Sequence, residues 1–240
     1  MELLLLSNSR NHGQGFLQHA RHELRSFAPD RIAFVPYALA DHDGYTGTVA
    51  AALEPLGIEV TGVHTASDPR SPLRTAEAVF VGGGNSFRLL RAMQRTDLLQ
   101  VIRDRVRDGS LRYVGSSAGT NLAAPTIRTT NDMPITQPVS FDALGLVPFQ
   151  INPHYLDPSP TSTHMGETRE QRLGEFLEEN DVPVLGIREG GWLRVSGDRA
   201  CLGGANGGRL FRRGVDATEL AADADVSFLL ESEPRFDQSG

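Results

Sequence analysis

Residues 115–119 read Gly115-Ser116-Ser117-Ala118-Gly119, a Gly-x-Ser-x-Gly pattern centred on Ser117. An apolar run at residues 111–114 reads as a strand before it, and Leu122, Ala123 and Ala124 read as the start of a helix after it. A sharp strand-to-helix turn forces its central residue into a strained conformation and pushes the serine hydroxyl out at the strand end. Side chains two residues away on either side would collide in that turn, and glycine removes them. Only Ser117 has glycine on both sides at that spacing; Ser116 does not. The free N–H groups of the following helix suit a developing negative charge. The chemistry implied is nucleophilic acyl transfer. The plainer reading is an ordinary Gly/Ser turn.

A serine hydroxyl needs a base to take its proton, and the base needs a carboxylate to orient it. Of the seven histidines, His19 and His22 fall in the first expected helix, and His12 and His42 in loops. His64 ends an expected strand. His154 follows an apolar run and the rigid Asn152-Pro153 pair, and His164 sits near it in a Pro/Ser/Thr-rich loop. Position favours His154. For the acid, Asp132 lies between Ser117 and His154, with Asp142 and Asp157 as competitors. The order Ser117, Asp132, His154 is that of the α/β-hydrolases, with the acid and base following unusually soon. A second candidate is Gly82-Gly83-Gly84-Asn85. Glycines at a strand end let backbone N–H groups approach a phosphate or a carbonyl oxyanion. A dinucleotide fingerprint would need glycine where Phe87 stands. The oxyanion reading is therefore preferred, with one donor near Gly84 and Asn85 and one at Ala118; a tight strand–helix turn is the alternative.

These residues must be held by strand ends. Apolar strands are expected at residues 3–7, 32–35, 58–63, 78–81 and 111–114, alternating with helical spacing such as Leu17, Ala20, Leu24 and Phe27. That alternation predicts a doubly wound, mostly parallel α/β sheet, whose ligands sit at the carboxyl ends of the strands. Residues 125–138 read as irregular, residues 167–179 as a helix, and residues 184–187, 192–195, 200–202 and 209–211 as short hairpin strands added to the sheet's edge or back. One domain spanning residues 1–240 is expected, with about fifteen frayed residues at the C-terminus.

Composition narrows the chemistry further. All 23 basic residues are arginine, which removes Schiff-base, pyridoxal-phosphate, Ser–Lys and P-loop lysine chemistry. A net charge of −7 shows no footprint for nucleic acid. Cys201 is the only cysteine, so a reducing, cytoplasmic setting is expected. No apolar stretch approaches the ~20 residues of a membrane span.

The motifs together resemble peptidase E, the aspartyl dipeptidase family of serine peptidases. The resemblance runs through residues 1–9, Val81-Gly82-Gly83-Gly84-Asn85, residues 115–119, Thr126-Ile127-Arg128-Thr129-Thr130-Asn131-Asp132-Met133-Pro134-Ile135, Gln150-Ile151-Asn152-Pro153-His154 and residues 166–172, in that order. It covers roughly residues 1–212. Family members often carry Trp where Ser116 stands, and the last third drifts. The resemblance implies Ser117 as nucleophile, His154 as base and Asp132 as the orienting acid. It also implies a fold similar to class I glutamine amidotransferases, removal of an N-terminal aspartate from a small Asp-X dipeptide, and no metal or cofactor.

An aspartyl side chain calls for arginine. Arg169 is the first choice and Arg128 the second. The substrate amine calls for an acid such as Glu167 or Asp157, and Asn85 is expected at the substrate. No nucleic-acid or membrane partner is expected, and a homodimer is left open. Two rivals stand: a cyanophycinase-like hydrolase of β-linked aspartyl peptides, and a non-catalytic module binding phosphate or nucleotide at residues 82–85.

Overall fold

Four consecutive leucines, Leu3 to Leu6, are all fully buried because strand β1 (Glu2–Leu6) runs through the interior of a sheet. Leu3 and Leu5 face one core, Leu4 and Leu6 the other, the two-residue alternation of a strand covered on both faces. The computed structural model describes residues 1–158 and 166–238 of the chain.

The chain continues through α1 (Arg21–Phe27), β2 (Arg31–Val35), α2 (His42–Leu53), β3 (Glu59–Gly62), α3 (Ser71–Thr75), β4 (Ala78–Val81), α4 (Ser86–Arg95), α5 (Leu98–Arg107), β5 (Arg112–Ser116) and α6 (Ala118–Leu122). Then come an irregular stretch, β6 (Gln150–Tyr155), α7 (Arg169–Glu179), β7 (Val184–Arg188), β8 (Gly191–Ser196), β9 (Arg199–Gly204), β10 (Gly208–Arg212) and β11 (Val215–Leu220). The main sheet has the order β3-β2-β4-β5-β1-β8-β9. Its first five strands are parallel, and the β8–β9 hairpin is antiparallel against β1. The expected doubly wound, mostly parallel α/β sheet is therefore present.

The second half departs from expectation. The short strands do not all join the edge of one sheet. Only β8 and β9 do so, while β11, β10, β7 and β6 form a separate four-stranded sheet. Within it β6 and β7 are parallel, and the others antiparallel. Helix α7 covers this sheet, with Leu173 and Leu177 against Tyr155, Val184 and Phe211. Its start is fixed by a capping box between Thr168 and Gln171. The C-terminus, expected to fray, is tied back as far as Gln238: Asp181 and Arg235 exchange backbone hydrogen bonds at 2.8 and 3.0 Å, and Gln238 N–H donates to Glu179 O at 2.9 Å.

Three carboxyl ends converge, those of β4, β5 and β1. Leu6 O receives the Ser117 N–H at 3.1 Å and the Thr120 hydroxyl at 2.6 Å. The seam between the two sheets lies beside them, at the turn from β7 to β8, where Ser7 N–H donates to Gly191 O at 2.9 Å.

Candidate active site

Ser117 caps α6 with φ 54° and ψ −110°, a backbone conformation that a non-glycine residue holds only when its surroundings force it. The surroundings are glycines. A β-carbon on Gly119 would collide with Val81 O, and one on Gly115 would lie 2.7 Å from Gly119 O. The first would drive the turn off β4 and the second would push the start of α6 off β5, so the Gly-x-Ser-x-Gly spacing is a packing requirement. Tyr113 adds a lock from beneath, its buried hydroxyl donating to Gly119 O at 2.6 Å.

The loop after β4 lies against the serine. A β-carbon on Gly83 would stand 2.9 Å from Ser117 Cβ and 3.6 Å from its Oγ. Gly83 N–H is spent on the Tyr45 hydroxyl at 2.8 Å; burial pushes that phenol up to about 12. Gly84 has φ +135°, and the next N–H, from Asn85, goes to Ala38 O. Gly84 N–H has no acceptor among the described residues, and Ala118 N–H, at the first position of α6, has none within its helix. These are the two donors expected around an oxyanion.

The candidate base, His154, arrives from the other sheet. Between Asn152 and Tyr155 strand β6 carries one residue more than its partner β7, a bulge at Pro153 and His154. Proline has no N–H to lose there. His154 adopts φ 53°, and the bulge aims its ring at the serine. Nε2 lies 2.8 Å from Ser117 Oγ. Its backbone N–H donates to Ser7 Oγ at 2.9 Å, and the Ser7 hydroxyl donates to Ile187 O at 2.8 Å. Ser7 thus ties β1 to both β6 and β7.

The orienting acid in this geometry is Glu189, whose Oε1 lies 2.6 Å from His154 Nδ1. Glu189 stands in the two-residue turn between β7 and β8. The turn needs Gly190, which has φ +80° and donates its N–H to Asn8 Oδ1 at 2.8 Å. Asn206 Nδ2 holds Glu189 O at 2.7 Å.

Asp132, expected in that role, is engaged elsewhere. Its Oδ2 accepts both the N–H and the hydroxyl of Ser86, each at 2.7 Å, at the first residue of α4. A carboxylate is stabilised at a helix N-terminus, and that competes with any approach to His154. No short-range signal marks Glu189. The only hint is an acid beside Gly190 and Gly191 at the end of an apolar strand.

The remaining expected residues are distributed as follows. Asn85 caps α4, accepting from Arg88 N–H at 3.0 Å and donating to Met133 O at 2.9 Å. Arg128 makes a two-pronged pair with Asp237, at 2.6 and 3.1 Å. Asp157 is held by Arg188 at 2.8 and 2.9 Å, which keeps its carboxyl below the usual range. Glu167 is exposed, 3.6 Å from Arg172. Asp142 forms an isolated bridge with Thr126. His64 pairs with Asp43 at 2.9 Å, away from the serine. His164 lies outside the described residues. Arg169 begins α7, half-buried, with no carboxylate in ion-pair contact among the described residues. Burial lowers its guanidinium from the usual range, and Arg172 adds to this; Glu189 and Asp132 pull the other way. Arg169 is therefore within electrostatic reach of the site's two carboxylates.

Residues 3–203 match the model of Peptidase family S51. The chain belongs to peptidase family S51. It is 64% identical to Peptidase E of Streptomyces coelicolor, over 99% of this chain and 98% of that one. It is 54% identical to a Drosophila melanogaster protein named "Probable alpha-aspartyl dipeptidase", over 95% and 97% of the two chains. The crystal structure of a peptidase from an acI-B1 actinobacterium superposes with a TM-score of 0.66 at 16% identity, covering 95% and 96%, a likeness of fold alone. The expected family is the one found, and it makes the chain a serine-type peptidase. Among the described residues, no group of three or more His, Cys, Asp or Glu could hold a metal, and no helix is long and apolar enough to cross a membrane.

Proposed function

We propose that this S51 peptidase hydrolyses dipeptides with an N-terminal aspartate through an acyl-enzyme on Ser117. The observation that carries the reading is the relay Ser117 Oγ–His154 Nε2, 2.8 Å, and His154 Nδ1–Glu189 Oε1, 2.6 Å. His154 takes the Ser117 proton as the hydroxyl attacks the scissile carbonyl, and Glu189 supports the imidazolium. The oxyanion rests on the N–H groups of Gly84 and Ala118. His154 then protonates the leaving amine, the amide C–N bond breaks, and the second residue departs. A water that gives its proton to His154 attacks the ester, releasing aspartate and restoring Ser117.

Specificity follows from two charges. Arg169 is a half-buried cation without an ion-pair partner among the described residues, and it receives the aspartyl side-chain carboxylate. Asp132 receives the substrate ammonium on its Oδ1, since only its Oδ2 is engaged by Ser86. This replaces Glu167 and Asp157, which are paired with Arg172 and Arg188. The relatives named Peptidase E and alpha-aspartyl dipeptidase support the same substrate class. The lone Cys201 suits a reducing cytoplasm.

The test is a panel of Asp-Leu, Glu-Leu, Asn-Leu, Leu-Asp and β-linked Asp-Leu, with Ser117→Ala as control. Asp-Leu alone should be cleaved, with a loss on the order of 10⁴- to 10⁶-fold in the mutant. Cleavage of the β-linked peptide alone would move the specificity to that linkage. Turnover of none, from protein that a fluorophosphonate probe does not label, would remove the serine mechanism.

A further inference from the structure

A dipeptide differs from a longer peptide by a carboxylate one residue past the scissile bond. Neither the relay nor the two specificity charges would read that end. A cavity of about 550 Å³ opens beside the oxyanion loop, lined among others by Tyr37, Leu39, Arg88, Arg91, Arg95 and Ile135.

Its walls are continuous with the active site. Leu39 Cδ2 lies 2.8 Å from the position of a β-carbon on Gly84, and Asn85 N–H bonds Ala38 O at 3.0 Å. On the other side Ile135 and Thr136 continue the chain from Asp132, and Arg91 Nη1 donates to Thr136 Oγ1 at 2.6 Å. Helix α4 begins two residues after Gly84. At ~1.5 Å per residue, Arg88 is ~3 Å and Arg91 ~7.5 Å along the axis from Ser86.

The cavity's charge lacks a counterpart. Arg88, Arg91 and Arg95 stand at helical spacing on one face, and α4 contains no acidic residue. No carboxylate lines the cavity, and none of the three is in an ion pair among the described residues. Like charges at such spacing repel weakly, and Arg88, in the first turn, also meets the helix's positive end. In a chain of net charge −7, the three arginines are a local concentration of positive charge open to an anion. The opposite wall is apolar and open, with Leu39 38% and Ile135 53% exposed.

We propose that this cavity is the subsite for the leaving residue, with Arg88 and Arg91 binding its C-terminal carboxylate and the Leu39 and Ile135 wall taking its side chain. The proposal rests on the Asp-X reading above. An extended residue spans ~3.5 Å, so the carboxylate lies within reach of side chains from the first two turns of α4.

The experiment compares Asp-Leu with Asp-leucinamide on the same preparation, so that the ratio of kcat/KM values does not depend on how much protein is folded. Charge-assisted hydrogen bonds predict a wild-type preference for the free acid of roughly ten- to a hundredfold. The double variant Arg88→Met/Arg91→Met should bring that ratio below about threefold, and Arg88→Lys should keep part of it. A wild-type ratio near one, or a ratio preserved in the double variant, overturns the subsite while leaving the aspartyl specificity standing. Failure of the wild type to cleave either substrate removes the Asp-X reading, and this subsite with it.

Discussion

The two halves of the proposed active site are built in different ways. Ser117 and the residue 82–85 loop are each a turn at the end of their own strand, shaped by glycines packed against backbone, as at Gly115 and Gly119, and against side chains such as Tyr45 and Leu39. His154 and the turn carrying Glu189 come from a second sheet. Their positions depend on hydrogen bonds to Ser7 and Asn8, across sequence separations of 147 and 182 residues. The nucleophile half is shaped first by steric exclusion around its glycines, with hydrogen bonds to Leu6 O and from the Tyr113 hydroxyl behind it. The base half is a hydrogen-bonded one, and it is correct only if the two sheets meet in the right register. Both halves place a non-glycine residue at positive φ, Ser117 at 54° and His154 at 53°. In the first the strain is enforced by close backbone packing, in the second by a bulge.

The sharpest test of the second half pits two acids against each other. Glu189→Gln should lower kcat for Asp-Leu by roughly 10²- to 10⁴-fold, because the imidazole loses its orienting charge. Asp132→Asn should keep kcat within about tenfold while raising KM, and should erase the preference for Asp-Leu over its des-amino analogue succinyl-Leu. Equal kcat losses in the two variants would return Asp132 to the relay.

The first half breaks next. Gly119→Ala would put its β-carbon against Val81 O, and we expect ~1–3 kcal/mol of destabilisation, read as a lower urea midpoint. It should also cost about 10² in kcat/KM from misplacement of the serine. Ser7→Ala should do less. It leaves Ile187 O and the His154 N–H without their buried partner, costing about 1–3 kcal/mol. Because Ser7 belongs only to the base half, labelling of Ser117 by a fluorophosphonate should slow while the Tyr113 and Gly119 contact remains.

The smallest effect is that of acid. Asp157 and Glu219 are both held below the usual carboxylate range, first by hydrogen bonds to Arg188, the residue preceding Glu189. Folding stability from these groups is present above their unfolded range of ~4 and is lost as pH falls through their lower folded values. Both carboxylates are largely exposed, so the contribution is modest. Tm should therefore decline below about pH 4, and less steeply in Arg188→Leu.

This contrast also explains what could be read in advance. The parallel sheet, the serine turn and the placing of His154 each leave a mark within a few residues: apolar runs, glycines at fixed spacing, a Pro-His at a strand end. Asp132 is legible as important because it sits in a distinctive run, but its partner is not. A carboxylate two residues before Pro134 gives no sign whether it will face an imidazole or a helix N-terminus. Glu189 escapes notice for the same reason. One glutamate in a tight turn looks ordinary until β7 joins β6 and β8 joins β1.

By itself, then, the sequence determined the elements whose causes are local: buried strands, the glycine-enforced elbow and the arginine-only cationic chemistry. The tertiary structure decided which acid completes the relay, which arginines are spent in ion pairs, and that most of the late strands form a sheet of their own. Those outcomes depend on hydrogen bonds between residues far apart in the chain, such as Ser7 with His154 and Asn8 with Gly190. Residue type and spacing do not encode such bonds; only the packed arrangement of the two sheets brings their partners within reach.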